Sequence, residues 1–222
     1  LWFVARDLPE SCSPLFGALF AAGLLSTDDL WTRIRLVLEA GRVSFARRVA
    51  EWLPAGQAPE PRVLESIASN PAGYLERQHF NLKNRAGRET VMFAAHRLAR
   101  TSPPQAARHW AKLEERFSEE DREYVWGMIG YLGAMHHDPD ALGWYAKAGD
   151  LSDVQLAWKA RAALRARSWH EVLAAIDAMT EKEASEPAWR YWKARALKVL
   201  GRAEEADELI KPLATEFNFY GQ

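Results

Sequence analysis

The sequence predicts an all-α fold, an irregular α-solenoid in which short helix hairpins stack into a right-handed superhelix over residues 1–222 as a single domain. Three observations carry that reading. Apolar residues recur at intervals of three and four in RIRLVLEAG (33–41), VMFAAHRLAR (91–100), REYVWGMIGYLGAM (122–135) and VQLAWKARAALRA (154–166), which is the period of an amphipathic helix. Strand signals are nearly absent, because no segment alternates apolar and polar residues over more than a few positions. The chain also repeats itself: AWKARAALRARSWHEVLAAIDAM (157–179) aligns with YWKARALKVLGRAEEADELIKPL (191–213) at an offset of 34 residues.

That offset pairs Trp158 with Trp192, Ala160 with Ala194, Arg161 with Arg195, Ala162 with Ala196, Val172 with Ala206, Ile176 with Ile210 and Met179 with Leu213. A weaker copy lies 32 residues upstream, where Trp126, Gly130, Leu132 and Trp144 match Trp158, Ala162, Leu164 and Ile176. A further copy spans residues 29–55, with Gly41 and Ala46 spaced like Gly201 and Ala206. A pair of short helices cannot bury its apolar stripe alone. Consecutive pairs therefore stack, with small residues where backbones approach and large ones in the gaps. The period resembles tetratricopeptide repeats, although most pairs lack the leucine-glycine-tyrosine signature of the first helix.

Helix boundaries are marked as well. Ser102 with Gln105, Ser118 with Asp121, Ser152 with Gln155 and Ser168 with Glu171 each have capping-box spacing. Ser13-Pro14 and Asn70-Pro71 read as N-cap residues followed by a helix-initiating proline. About thirteen helices with connections of two to six residues follow from these signals. The uncharged stretch SCSPLFGALFAAGLLST (11–27) is too weakly apolar to span a bilayer and reads as a buried helix.

Bulk properties exclude some functions. The 222 residues are 48% hydrophobic, enough for a real core, and 29 basic residues nearly balance 30 acidic ones. A net charge of -1 supplies no global field for nucleic acid or an anionic membrane. The chain opens at Leu1 with no targeting segment in view, so the compartment is not legible there. The single cysteine, Cys12, is either an inert thiol or half of a bridge to a residue outside the chain.

Candidate chemistry is sparse. His136-His137-Asp138 offers metal-ligating side chains, but adjacent residues of a turn seldom converge on one ion, and the remaining histidines (His79, His96, His109, His170) are dispersed. No metal or other cofactor is expected. GMIGYLG (127–133) has glycine at every third position inside a helical pattern, which suits close helix packing rather than a phosphate cradle. Ten tryptophans stand out. Trp31, Trp126, Trp158 and Trp192 take equivalent places in helix pairs and read as core. Trp110, Trp144, Trp169 and Trp189 are less regular; each is either core or, where exposed, a flat platform for a sugar ring.

The segment EPAWRYWKARALKVLGRAEEADELIKPLATEFNFYGQ (186–222) resembles the part of soluble lytic murein transglycosylases in which a WRYW-type motif begins a helix, a Gly-Arg-x-x-Glu-Ala turn follows, and an FYG element ends the superhelical region. LPESCSPLF (8–16) and LWTRIRLVLEAG (30–41) resemble an earlier portion of that region. The resemblance implies a periplasmic enzyme of cell-wall turnover, which cleaves the β-1,4 bond between N-acetylmuramic acid and N-acetylglucosamine to a 1,6-anhydro product using one glutamate. It also implies that Cys12 belongs to an oxidising compartment, which favours the bridge outside the chain.

The family's catalytic glutamate is followed by serine and later by a Gly-Leu-Met-Gln element. Glu10-Ser11 and Glu65-Ser66 have no such sequel, so no catalytic residue carries over. The chain is thus expected to be an inactive scaffold that positions a catalytic domain lying outside it and holds peptidoglycan glycan strands. A tetratricopeptide-like adaptor binding a partner protein is the alternative.

Overall fold

The computed structural model describes residues 2–6, 8–77 and 79–216. The FYG element falls outside them. Among the described residues there are fourteen α-helices, two short 3-10 turns and no strand, so the all-helical expectation stands with one helix more than the capping signals implied. The chain divides into two compact units, Leu1–Ser118 and Glu119–Gln222.

In the first unit, α1 (Ser13–Ala21) precedes a hairpin of α2 (Thr27–Glu39) and α3 (Val43–Ala50). Next come α4 (Pro61–Ser69) and α5 (Pro71–Leu75), then a second hairpin of α6 (Arg85–Ala99) and α7 (Pro103–Trp110). The core lies where α2 meets α6. Leu30, Trp31, Ile34 and Val37 line one face of α2, and Val91, Ala94, Ala95, Leu98 and Ala99 line α6, all buried. Trp31 is the largest of these buried side chains and the alanines of α6 the smallest, so the core mixes large and small residues. A polar clamp crosses the same interface: the buried Glu89 accepts from Arg35 Nε at 2.7 Å and from Arg85 Nε at 3.2 Å.

The second unit contains α8 (Glu119–Met135), α9 (Ala141–Tyr145), α10 (Asp153–Ala166), α11 (Trp169–Asp177), α12 (Glu181–Ala184), α13 (Pro187–Val199) and α14 (Ala203–Leu213). The repeat is realised in register. α10 and α13 begin 34 residues apart, as do α11 and α14. Both first helices end in a left-handed residue at equivalent places, Gly201 at φ 81° and Arg167 at φ 55°. Glycine adopts that conformation freely, whereas Arg167 does so against its Cβ. Ala160, Ala163, Ala194 and Ala196 are buried in one apolar cluster with Val172, Ile176 and Leu197.

The glycine row of α8 packs as its spacing predicts. A Cβ on Gly130 would lie 2.8 Å from the Tyr145 ring, and one on Gly133 would enter the Trp144 ring. Two aromatic side chains of α9 thus rest on bare backbone of α8.

Some local expectations fail. Residues 11–27 do not form a buried helix: Phe16 is buried, but Leu15 is 54% and Leu24 is 71% exposed. α1 packs on the preceding 3-10 turn, and its buried Phe16 meets Trp2 and Arg33. Ser13 is the first helical residue rather than the cap, which is Cys12. Ser152 makes its full capping box with Gln155, and an unforeseen box joins Ser26 to Asp29. Ser102 and Ser168 make none. Their ψ angles of 83° and 82°, against 158° at Ser152, turn the short hydroxyl from the free amides. Asn70, at ψ 75°, still caps because its oxygen sits one bond further out.

Trp31 and Trp126 are core as expected, whereas Trp158 and Trp192 are only half-buried, each packed against an apolar cluster.

Two outcomes follow from this packing. Gly133→Ala should destabilise by about 1–3 kcal/mol in urea titrations, although alanine is the better helix former. Gly143→Ala, where nothing lies within 4 Å of the added carbon, should be neutral or stabilise by about 0.5–1 kcal/mol. Equal effects at the two sites would contradict the close approach.

His96 on α6 is buried, its Nδ1 has no hydrogen-bond partner, and burial, then Arg100 and Arg97, lower its pKa from 6.5 to about 4. Above pH 6.5 both folded and unfolded states keep it neutral; between 6.5 and about 4 only the unfolded chain takes the proton. Stability should therefore fall with pH across that window by at most about 3 kcal/mol. His96→Leu should flatten the slope measured by denaturant unfolding; an unchanged slope would remove His96 as its source.

Candidate functional site

Of the four tryptophans singled out as core or sugar platforms, two are buried and two are half-buried. Trp110 is fully buried at the end of α7, its ring 4.7 Å from Phe117. Trp189, 5% exposed, begins the buried face of α13 and donates its indole N–H to Glu183 at 2.9 Å. Neither leaves a ring face open to a ligand. Trp144 is half-buried over Gly133, and Trp169 is half-buried against the cluster that contains Val172 and Trp189. Trp110 also belongs to a different unit from the other three. Burial is the physical reason: helices this short need their largest rings inside.

The remaining candidates are equally dispersed. His136-His137-Asp138 forms the turn after α8, with His137 in the left-handed region at φ 59° and Asp138 accepting from the Asp140 amide at 2.9 Å. Among the described residues, no three histidine, cysteine or acidic side chains come close enough to hold a metal ion. No helix among them is long and apolar enough to cross a membrane. Glu65 lies on α4 and pairs with Arg47 at 2.6 Å, an exposed ion pair rather than a sheltered acid.

A cavity lies elsewhere, in the first unit. This half-open cavity of about 430 Å³ is lined by Trp2, Leu8, Pro9, Cys12 and Phe16 and by Arg33, Phe45, Arg48, Val49, Glu51 and Trp52. Its floor is a cation–π nest. The Arg33 guanidinium is buried, with its carbon 4.2 Å from the Trp2 ring centre, 5.3 Å from Phe45 and 5.6 Å from Phe16. Trp2 is held by its indole N–H donating to the Asp29 carbonyl at 3.1 Å and by an edge contact with Phe16 at 4.7 Å.

Sequence reasoning passed over Trp2, Arg33 and Trp52. One signal was available: Arg33 stands in helical phase with Leu30 and Val37, a charge on an apolar stripe. Cys12 lines this cavity as a free, half-buried thiol.

The arrangement orders side chains, and among the described residues only two carboxylates are buried. An acid and base working across one bond need two titratable groups facing a common substrate position. Among the described residues, the buried carboxylates are Glu89, clamped by two arginines, and Asp121 in the first turn of α8.

No protein-family profile matches the chain. Soluble lytic murein transglycosylases of Escherichia coli K12 and Salmonella typhimurium are each 24% identical to it over 99% of its length. An inactive mutant of lytic transglycosylase Slt from Pseudomonas aeruginosa superposes with a TM-score of 0.71 at 30% identity, again over 99% of this chain. The 70 kDa soluble lytic transglycosylase of Escherichia coli shares the fold at a TM-score of 0.62 and 22% identity. The chain spans about a third of each relative, 35% of the curated sequences and 36% of the solved chains. In sequence and in all-helical fold, the chain is a homologue of the soluble lytic murein transglycosylases and corresponds to a partial stretch of them.

Proposed function

We propose that this chain is a scaffold piece of a peptidoglycan-degrading enzyme. As a single structural part of the parent protein, it supports the glycan strand and positions a catalytic domain carried outside these 222 residues. The parent reaction is cleavage of the β-1,4 bond between N-acetylmuramic acid and N-acetylglucosamine with formation of a 1,6-anhydro sugar, and its site of action is the periplasm.

One observation carries this reading: the match runs over 99% of the chain yet only about a third of each relative. The site geometry supports it. Glycoside cleavage by a glutamate needs a carboxyl group of raised pKa in a sheltered cleft. The carboxylates here whose pKa departs from the ordinary value, Asp29, Asp153 and Glu205, are all pulled down by hydrogen bonds, to Ser26, Thr180 and Arg202 respectively. They remain ionised at neutral pH and have no proton to give.

The purified chain should leave the turbidity of murein sacculi unchanged under conditions in which a full-length relative clears them. Clearing by this chain alone would show a catalytic centre within it and overturn the scaffold role.

A further inference from the structure

Charges in the second unit are sorted by helix. α10 carries Lys159, Arg161 and Arg165 against Asp153, and α13 carries Arg190, Lys193, Arg195 and Lys198 with no acid at all. Their hairpin partners run the other way. α11 has Glu171 and Asp177, while α14 has Glu204, Glu205, Asp207 and Glu208 against Lys211.

Part of this sorting joins the helices. Lys159 meets Glu171 at 3.4 Å, Lys193 meets Asp177 at 2.6 Å, and Arg190 meets Glu216 at 2.6 Å. Arg161, Arg165 and Arg195 are different. All three are exposed, and among the described residues none has a carboxylate within ion-pair distance. Their contacts are neutral groups. Arg161 lies 5.2 Å from the Trp158 ring centre and 5.0 Å from that of Trp189, Arg165 donates to the Ala134 carbonyl at 2.7 Å, and Arg195 donates to the Tyr191 hydroxyl at 3.2 Å.

These side chains share a face. Trp158, Arg161 and Arg165 follow one another at three and four residues along α10, and on α13 Tyr191 and Trp192 stand four and three residues before Arg195, each a helical neighbour of it. Arg161 and Arg195 are equivalent in the 34-residue repeat, so stacked hairpins present them in the same direction. Like charges one turn apart repel. Burial, and then the neighbouring Arg161, accordingly lower the pKa of Arg165 from its ordinary value. An anion docking here would relieve that repulsion, and the adjoining rings of Trp158, Tyr191 and Trp192 are half-buried rather than sealed.

We propose that this face, formed by Arg161, Arg165 and Arg195 with the rings of Trp158, Tyr191 and Trp192, docks the carboxylate-bearing glycan of murein. The guanidiniums take the carboxylates of the peptide stems, for which their planar fork is suited. The rings take the apolar faces of the sugars. This surface rests on the scaffold reading above and adds to it a location and a ligand chemistry: stems and sugars together, rather than sugar alone. Charge complementarity selects the partner class, since an uncharged glycan would gain nothing from three guanidiniums. The acidic α14 in the same unit disfavours a long polyphosphate chain.

The test is calorimetric titration of the whole chain with three probes: soluble murein strands that keep their peptide stems, the same strands stripped of stems by an amidase, and duplex DNA. The stem-bearing strands should bind, and the stripped strands and DNA should bind more weakly. Arg161→Gln combined with Arg195→Gln should weaken binding by about tenfold or more. The control Lys182→Gln, which removes one positive charge on α12 from a residue not among the six of this face, should not, and circular dichroism should be unchanged in both variants. Absence of binding, equal affinity for stripped strands, tighter binding of DNA, or the same loss in the control would each overturn the proposal. None of these results bears on the turbidity assay, so this surface can fail while the scaffold reading holds, and the reverse.

Discussion

Close approach of helix backbones is the constraint from which the rest follows. A helix of eight to seventeen residues cannot bury enough apolar surface by itself to offset its conformational entropy. It must lie against others, and the distance at which it can do so is set by what stands at the crossing. Here the contacts carry glycine and alanine: Gly130 and Gly133 on α8, and Ala160, Ala163, Ala194 and Ala196 in the 34-residue repeat. Large rings then fill the space that small residues leave. Trp31, Trp110, Tyr145 and Trp189 are buried for this reason. Aromatic content that could suggest a sugar-binding surface is first a packing requirement.

Polar groups follow from the same geometry. Where helices are drawn close, charges must either pair across the contact or turn outward, because an unpaired buried charge costs several kcal/mol or more. Glu89 pairs twice, and Arg33 is taken into a nest of aromatic faces. In the second unit the first helices turn three guanidiniums outward while their acidic partners stand on the other helices. A structure of this kind holds, shapes and displays. Among the described residues the two buried carboxylates are Glu89, held by two arginines, and Asp121 in the first turn of α8.

Much of the fold was legible because it is periodic. The 34-residue offset returned as the spacing between α10 and α13 and between α11 and α14, and the glycine row of α8 as ring-on-backbone packing. Caps were legible only in part. Serine spacing located the ends at Ser102, Ser152 and Ser168, but whether the hydroxyl engages depends on ψ at that residue, which composition does not encode. α1 misled because uncharged sequence reads as buried, while exposure depends on how many helices surround a segment. The site residues were hardest to read. Trp110 and Trp189 differ from an exposed tryptophan only in tertiary surroundings, and the outward face of Arg161 and Arg195 emerges once the pairing of Lys159 and Lys193 is seen. The equivalence of the two arginines was in the alignment, but their lack of acidic partners was not.

The claim that single hairpins depend on their neighbours is tested most directly by circular dichroism of the isolated α10–α11 segment, residues 153–177, compared with the intact chain. The account expects the segment to be largely unstructured in water at 25 °C and to lack a cooperative thermal transition, while the intact chain is helical and unfolds cooperatively. A segment that is mostly helical and melts cooperatively on its own would contradict it.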